Sequence, residues 1–110
     1  MRERDIVELV QHGGHDAVQK LTEALLNSNW PDCNRFANAL AQIGDDEAVS
    51  GLLRALNGRR HHIRSASVKA LTLVGSPMVC KSIASLINDP AYEVRQDVIE
   101  ALRILDEKNE

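Results

Sequence analysis

Six side chains in this 110-residue sequence could take part in bond chemistry: His12, His15, His61, His62, Cys33 and Cys80. A metal ion needs three or four ligand atoms converging on one point. His12 and His15 flank Gly13-Gly14, and His61 and His62 follow Arg59-Arg60 in a distant segment, so neither pair has the spacing of a complete ligand set. His15-Asp16 spells the dipeptide used by metal-dependent phosphohydrolases. Alone it reads as a helix opening, with Asp16 complementing the helix dipole. Cys33 and Cys80 lack metal or redox spacing and suit reduced, buried thiols in a cytoplasmic protein. Phosphate loops, dinucleotide fingerprints and nucleophile elbows are missing. The sequence predicts no catalytic residue, no cofactor and no metal site.

Charge is distributed unevenly. Residues 1–47 hold nine acids against four bases, 48–88 hold six bases and no acid, and 89–110 hold seven acids against three bases. The central band is Arg54, Arg59, Arg60, Arg64, Lys69 and Lys81, and clustered cations of this kind suit an anionic ligand or nucleic acid. Its best anion-binding set is Arg59, Arg60, His62 and Lys69. The net charge of −3 and the shortage of stacking aromatics weigh against nucleic acid and toward an acidic protein partner.

Positioning these residues falls to an internal repeat. Residues 44–74 align without gaps on 75–105, an offset of 31. Leu52 falls on Ile83, Leu56 on Ile87, Ile63-Arg64 on Val94-Arg95, Val68 on Ile99, Ala70-Leu71 on Ala101-Leu102, and Val74 on Leu105. One step back, Gly13 falls on Gly44, Leu21 on Leu52, Leu25 on Leu56 and Ala39-Leu40 on Ala70-Leu71. The first twelve residues match the second half of a repeat and read as a cap. The organisation is one domain: capping half-repeat 1–12, repeats 13–43, 44–74 and 75–105, and a polar tail 106–110.

Within each repeat two stripes recur at helical spacing, separated by a breaker cluster such as Asn57-Gly58 or Asn88-Asp89-Pro90. Helices are predicted near 3–11, 15–27, 32–43, 46–57, 61–74, 77–88 and 92–107, opening at Gly14, Asp45 or Ser76 and closing at Gly13, Gly44 or Gly75. Aromatics are only 3% of the chain, so Leu, Ile, Val and Ala must supply the core. No apolar run has the length of a membrane span. Trp30, His61 and Tyr92 align at the turn before each second helix, either as partner anchors or as covers for the helix ends. Asp97, aligned with Ala66, is expected on the outer face of the last repeat. Arg35 at the same position in the first repeat does not fit so simply.

The run from Gly44-Asp45-Asp46-Glu47-Ala48-Val49 through Leu52-Leu53-Arg54-Ala55-Leu56, Ile63-Arg64 and Ala70-Leu71 to Val74-Gly75 resembles the short HEAT-like repeat of the phycobilisome-lyase type. The resemblance spans nearly the whole chain. It implies an all-α, right-handed α-solenoid of the armadillo/HEAT kind, with three two-helix repeats and the half-repeat cap. It also implies that Arg64 and Arg95 reach acids or carbonyls of neighbouring units, with Asp45, Asp46 and Asp89 as partners. Asp32-Cys33 breaks that ladder in the first repeat. Members of this family include scaffolds, chromophore lyases and a metal-dependent hydroxylase with His-Glu pairs on successive repeats. This sequence contains no His-Glu dipeptide.

In HEAT repeats the second helix of each pair lines the concave side, and solenoids bind there. The stripe comprises Asn34, Ser65 and Gln96, then Asn38, Lys69 and Glu100, then Ala41, Thr72 and Arg103. These positions vary between repeats while the core positions recur. The expected function is a non-catalytic scaffold that holds a protein on this stripe as a monomer or weak homo-oligomer. The alternatives are the anion or nucleic-acid binder above and an accessory subunit of a tetrapyrrole lyase or chaperone system.

Overall fold

Gly44 and Gly75 take left-handed backbone conformations, with φ of 64° and 74°, and their N–H groups donate to the carbonyls of Leu40 and Leu71. That conformation stops a helix and is inexpensive only for glycine. At the opposite ends, Asp45 accepts a hydrogen bond from the Ala48 N–H at 2.8 Å, and the Ser76 hydroxyl accepts from the Met78 N–H ahead of Pro77. In the first repeat the cap is Gly13, and Gly14 is already the first helical residue.

The computed structural model describes residues 1–108. Its helices are α1 (Glu3–His12), α2 (Gly14–Asn27), α3 (Asp32–Ile43), α4 (Asp46–Leu56), α5 (His61–Val74), α6 (Cys80–Ala84) and α7 (Tyr92–Lys108). A 3₁₀ turn, Pro77–Val79, leads into α6. No strand occurs among the described residues, and no described helix is long and apolar enough to cross a membrane. Part of the predicted polar tail, residues 109 and 110, lies outside the described residues.

The predicted helix at 77–88 is the one element that forms differently. After Ala84 the chain tightens, as Leu86 N–H donates to Ile83 C=O and Ile87 N–H to Ala84 C=O. The Ser85 hydroxyl meanwhile donates to the Ser82 carbonyl at 2.6 Å. A serine bonding its own backbone competes with the helix ladder, and a three-residue hydrogen-bond step is the tighter alternative. As a result Ile87 is 42% exposed, although its repeat equivalents Leu25 and Leu56 are buried.

Helices α1, α3, α5 and α7 pack side by side as one layer, with α2 and α4 paired behind them and α6 seated on α7. The smallest dimension, 18 Å, is that of two helix layers. Between them lies an aliphatic core of Leu21, Leu25, Leu40, Leu52, Leu56, Val68, Leu71, Ile83, Val94, Val98 and Leu105, all fully buried. Gly51 lets α4 approach α2 so closely that a Cβ there would strike the Thr22 hydroxyl.

Neighbouring repeats also meet through polar side chains 32 residues apart: Glu3 with Arg35, His15 with Glu47, His61 with Glu93, and Ser65 with Asp97. This periodicity corrects the outward placement expected of Asp97. Its side chain is only 17% exposed, and it turns back to accept from the Ser65 hydroxyl, with Lys69 Nζ at 4.0 Å. Arg35 likewise turns back to Glu3 and the Met1 carbonyl. The position shared by Arg35, Ala66 and Asp97 faces the preceding helix. On the last repeat Ile99, aligned with the buried Val68, is left 52% exposed.

Candidate functional site

The layer formed by α1, α3, α5 and α7 carries the stripe singled out in the sequence, but only part of it faces solvent. Ser65 and Thr72 are buried; the Ser65 hydroxyl is taken by Asp97, and Thr72 Oγ1 donates to the Val68 carbonyl at 2.8 Å. Asn34 and Ala41 are half-buried. Asn38, Lys69, Gln96, Glu100 and Arg103 are exposed. On α7 these charges satisfy one another. Arg103 holds Glu100 at 2.5 Å and Glu107 at 2.8 Å, and it draws the Glu100 carboxyl below its ordinary pKa.

On α3 and α5 the same layer is hollow. Asn38, Ala41, Gln42 and Leu73 surround a depression of about 390 Å³, in which Leu73 is 66% exposed. Asn38 and Gln42 also border a second depression of about 200 Å³, reaching Val7 and Val10 of α1. Sequence reasoning missed Leu73. The signal was its alignment on Gln42, an apolar residue at a position that is polar one repeat earlier.

The basic band is dismantled by the fold. Arg64 grips Asp89 through two hydrogen bonds of 2.8 and 3.0 Å and donates to the Gly58 and Arg59 carbonyls at 2.9 Å. This ion pair is largely buried, with side chains 13% and 3% exposed. The guanidinium, together with the Ala91 N–H, holds the Asp89 carboxyl below the ordinary carboxylate range. Arg95 repeats half of the pattern, donating to the Asp89 and Pro90 carbonyls. In the first repeat Cys33 stands where that arginine belongs. Arg60 reaches across from the next turn to supply the missing donor, bonding the Ser28 carbonyl and Asn29 Oδ1 at 2.9 Å each. Arg60 is therefore tied into the stack. Arg59 remains exposed, while Arg54 lies on the other layer, beside His15, Glu23 and Glu47.

The histidines separate into unlike environments. His12 ends α1 and is exposed. His15 Nδ1 lies 2.7 Å from Glu47 Oε2, a contact that raises the His15 pKa. At the α4–α5 turn, His61 and His62 meet Glu93 of the next repeat, and ligand atoms of all three lie within 4.8 Å of one another. Glu93 lies 32 residues from His61 in the chain, so the spacing of the histidines alone gives no sign of it. Trp30 and Tyr92, on the same edge, are 63% and 69% exposed, so neither ring is buried as a cover for a helix end. The Arg95 guanidinium sits 5.7 Å from the Tyr92 ring centre.

A family model described as HEAT repeats matches residues 34–103. The chain belongs to the HEAT-repeat family. HEAT repeats generally serve as protein-interaction scaffolds. The solved structure of human deoxyhypusine hydroxylase in complex with glycerol superposes with a TM-score of 0.79 at 24% sequence identity, covering 96% of this chain. That likeness is one of fold, and the HEAT-repeat chain spans 38% of the hydroxylase chain. No curated protein matches the sequence.

Proposed function

We propose that this chain is a non-catalytic cytoplasmic module that holds a protein partner on the concave face of a short solenoid. The solenoid is right-handed and of the phycobilisome-lyase type, with a half-repeat cap at 1–12 and repeats at 13–43, 44–74 and 75–105. The face is the α1, α3, α5, α7 layer, and the observation that carries the reading is Leu73. Leu73, 66% exposed, shares its depression with Ala41 and the amides of Asn38 and Gln42, and the adjoining depression adds Val7, 45% exposed, so the face offers apolar side chains within a polar rim. Lys69, Gln96, Glu100 and Arg103 extend the polar rim along the layer, and the unpaired thiols of Cys33 and Cys80 suit a reducing compartment.

Affinity capture from native lysate, with and without nuclease, tests this reading against the anionic-ligand alternative. Leu73→Asp is expected to abolish retention of a nuclease-resistant partner while shifting the unfolding free energy by less than about 0.5 kcal/mol, as an exposed substitution should. Nuclease-sensitive retention that survives Leu73→Asp and is lost with Arg59→Glu would transfer the function to the basic turn.

A further inference from the structure

We infer that His61, His62 and Glu93 form a binding site for a borderline divalent transition-metal ion of the Zn²⁺ class, clamping the second repeat to the third. These residues are the one group of three potential metal ligands within mutual reach among the described residues. His61 Nδ1 lies 3.8 Å from Glu93 Oε2, and the two imidazole rings have centroids 3.9 Å apart, tilted by 48°. His62 Nδ1 is buried and has no hydrogen-bond partner. Buried polar atoms are nearly always satisfied, and a bound ion is one explanation for an exception; Thr22 Oγ1, the other such atom among the described residues, has no potential ligand cluster around it. A contact of His61 with Glu93 alone accounts for the 3.8 Å approach but leaves His62 Nδ1 unsatisfied. A metal ion held by the cluster gives both histidines a role.

Two imidazoles and one carboxylate match the three-ligand zinc sites that keep a fourth position open to water. With metal–ligand bonds of about 2.0–2.2 Å, tetrahedral ligand atoms stand roughly 3.4 Å apart. The present separations of up to 4.8 Å therefore require a closure of about 1.4 Å, within reach of first-turn side chains that are 46% exposed, as His61 and Glu93 are. Closure draws the first turn of α7 toward that of α5.

The surroundings also select the ion. The site lies at two helix N-termini, whose positive ends oppose any cation, and Arg59 and Arg60 precede His61. A hard ion such as Mg²⁺ or Ca²⁺ depends on several oxygen ligands, and the cluster offers one carboxylate. Zn²⁺, Ni²⁺ and Cu²⁺ gain from bonds to imidazole nitrogen and so tolerate this setting. The inference is independent of the concave-face reading, because the turn lies off the Leu73 hollow.

Calorimetric titration of the full chain with Zn²⁺ and with Mg²⁺, alongside amide and imidazole NMR of the wild-type protein, tests the assignment. The expected result is one Zn²⁺ per chain, a raised melting temperature, no Mg²⁺ binding, and shifts centred on His61, His62 and Glu93. Glu93→Gln and His61→Ala should each weaken Zn²⁺ at least about 10-fold, since even residues that only orient metal ligands are worth that much. His15→Ala should leave the affinity unchanged. Absence of Zn²⁺ binding, shifts centred on His15 and Glu47, or affinity retained in Glu93→Gln and His61→Ala overturns the inference. The wild-type NMR decides the matter should a variant misfold.

Discussion

Arg64 and Asp89 show how a single polar pair fixes two repeats. The carboxylate accepts two hydrogen bonds from Arg64 and one from Ala91, so removing it strands a nearly buried guanidinium. Asp89→Ala is expected to cost about 3–5 kcal/mol in denaturant unfolding, the range for breaking one side of a buried pair. The pH dependence follows from the depressed carboxyl. A group whose pKa is lower when folded contributes stability fully above its unfolded value, and that stability is lost as pH falls through the folded value. Unfolding free energy should therefore decline below about pH 4, and Asp89→Asn should flatten that acid limb. An unchanged acid limb in Asp89→Asn would remove this pair from the account. The Arg64 interaction was legible through the resemblance to the HEAT-like repeat, which implies that Arg64 and Arg95 reach acids or carbonyls of neighbouring units. Arg60 and Glu93 were not. Their partners lie 31 or 32 residues away and meet them only once the repeats stack.

Helices carry the same lesson in a different form. Apolar period and terminal glycines located all seven helices, since both are local properties of the chain. The failure came at 85–88, where the apolar pattern still reads as helix but Ser85 bonds Ser82 and the ladder tightens. Leu56 and Ile87, equivalent in sequence, thereby become unequal in energy. Leu56→Ala opens a cavity in the core and is expected to cost about 2–5 kcal/mol. Ile87→Ala removes a side chain already 42% exposed, and its cost should stay below about 1 kcal/mol. Equal costs in urea unfolding would mean that the helix extends to Asn88 in solution. Sequence likewise placed Asp97 on an outer face, because an aligned position says which residues are equivalent without saying which neighbour they face.

Across the whole molecule, folding converts a segment of six bases and no acid into a surface with little concentrated charge. Arg64 is paired with Asp89, Arg60 is turned to Ser28, and Lys69 lies 4.0 Å from Asp97. Arg54 lies on the α2–α4 layer, beside Glu23 and Glu47. Nucleic-acid affinity at moderate salt requires several cations aligned on successive phosphates, because each neutralised phosphate contributes through counterion release. Arg59 and Lys81, exposed on different elements of a chain of net charge −3, do not meet that requirement. A labelled duplex oligonucleotide should accordingly show no saturable anisotropy change at 0.15 M salt, with any weak binding at low salt vanishing by that point. Saturable binding at 0.15 M that is lost with Arg59→Glu would mean that Arg60 and Lys69 leave their present partners to meet the ligand. The stack would then open the contact of the α4–α5 turn with the α2–α3 turn and that of α5 with α7 to bind, and the Leu73 hollow would lose its claim as the primary site.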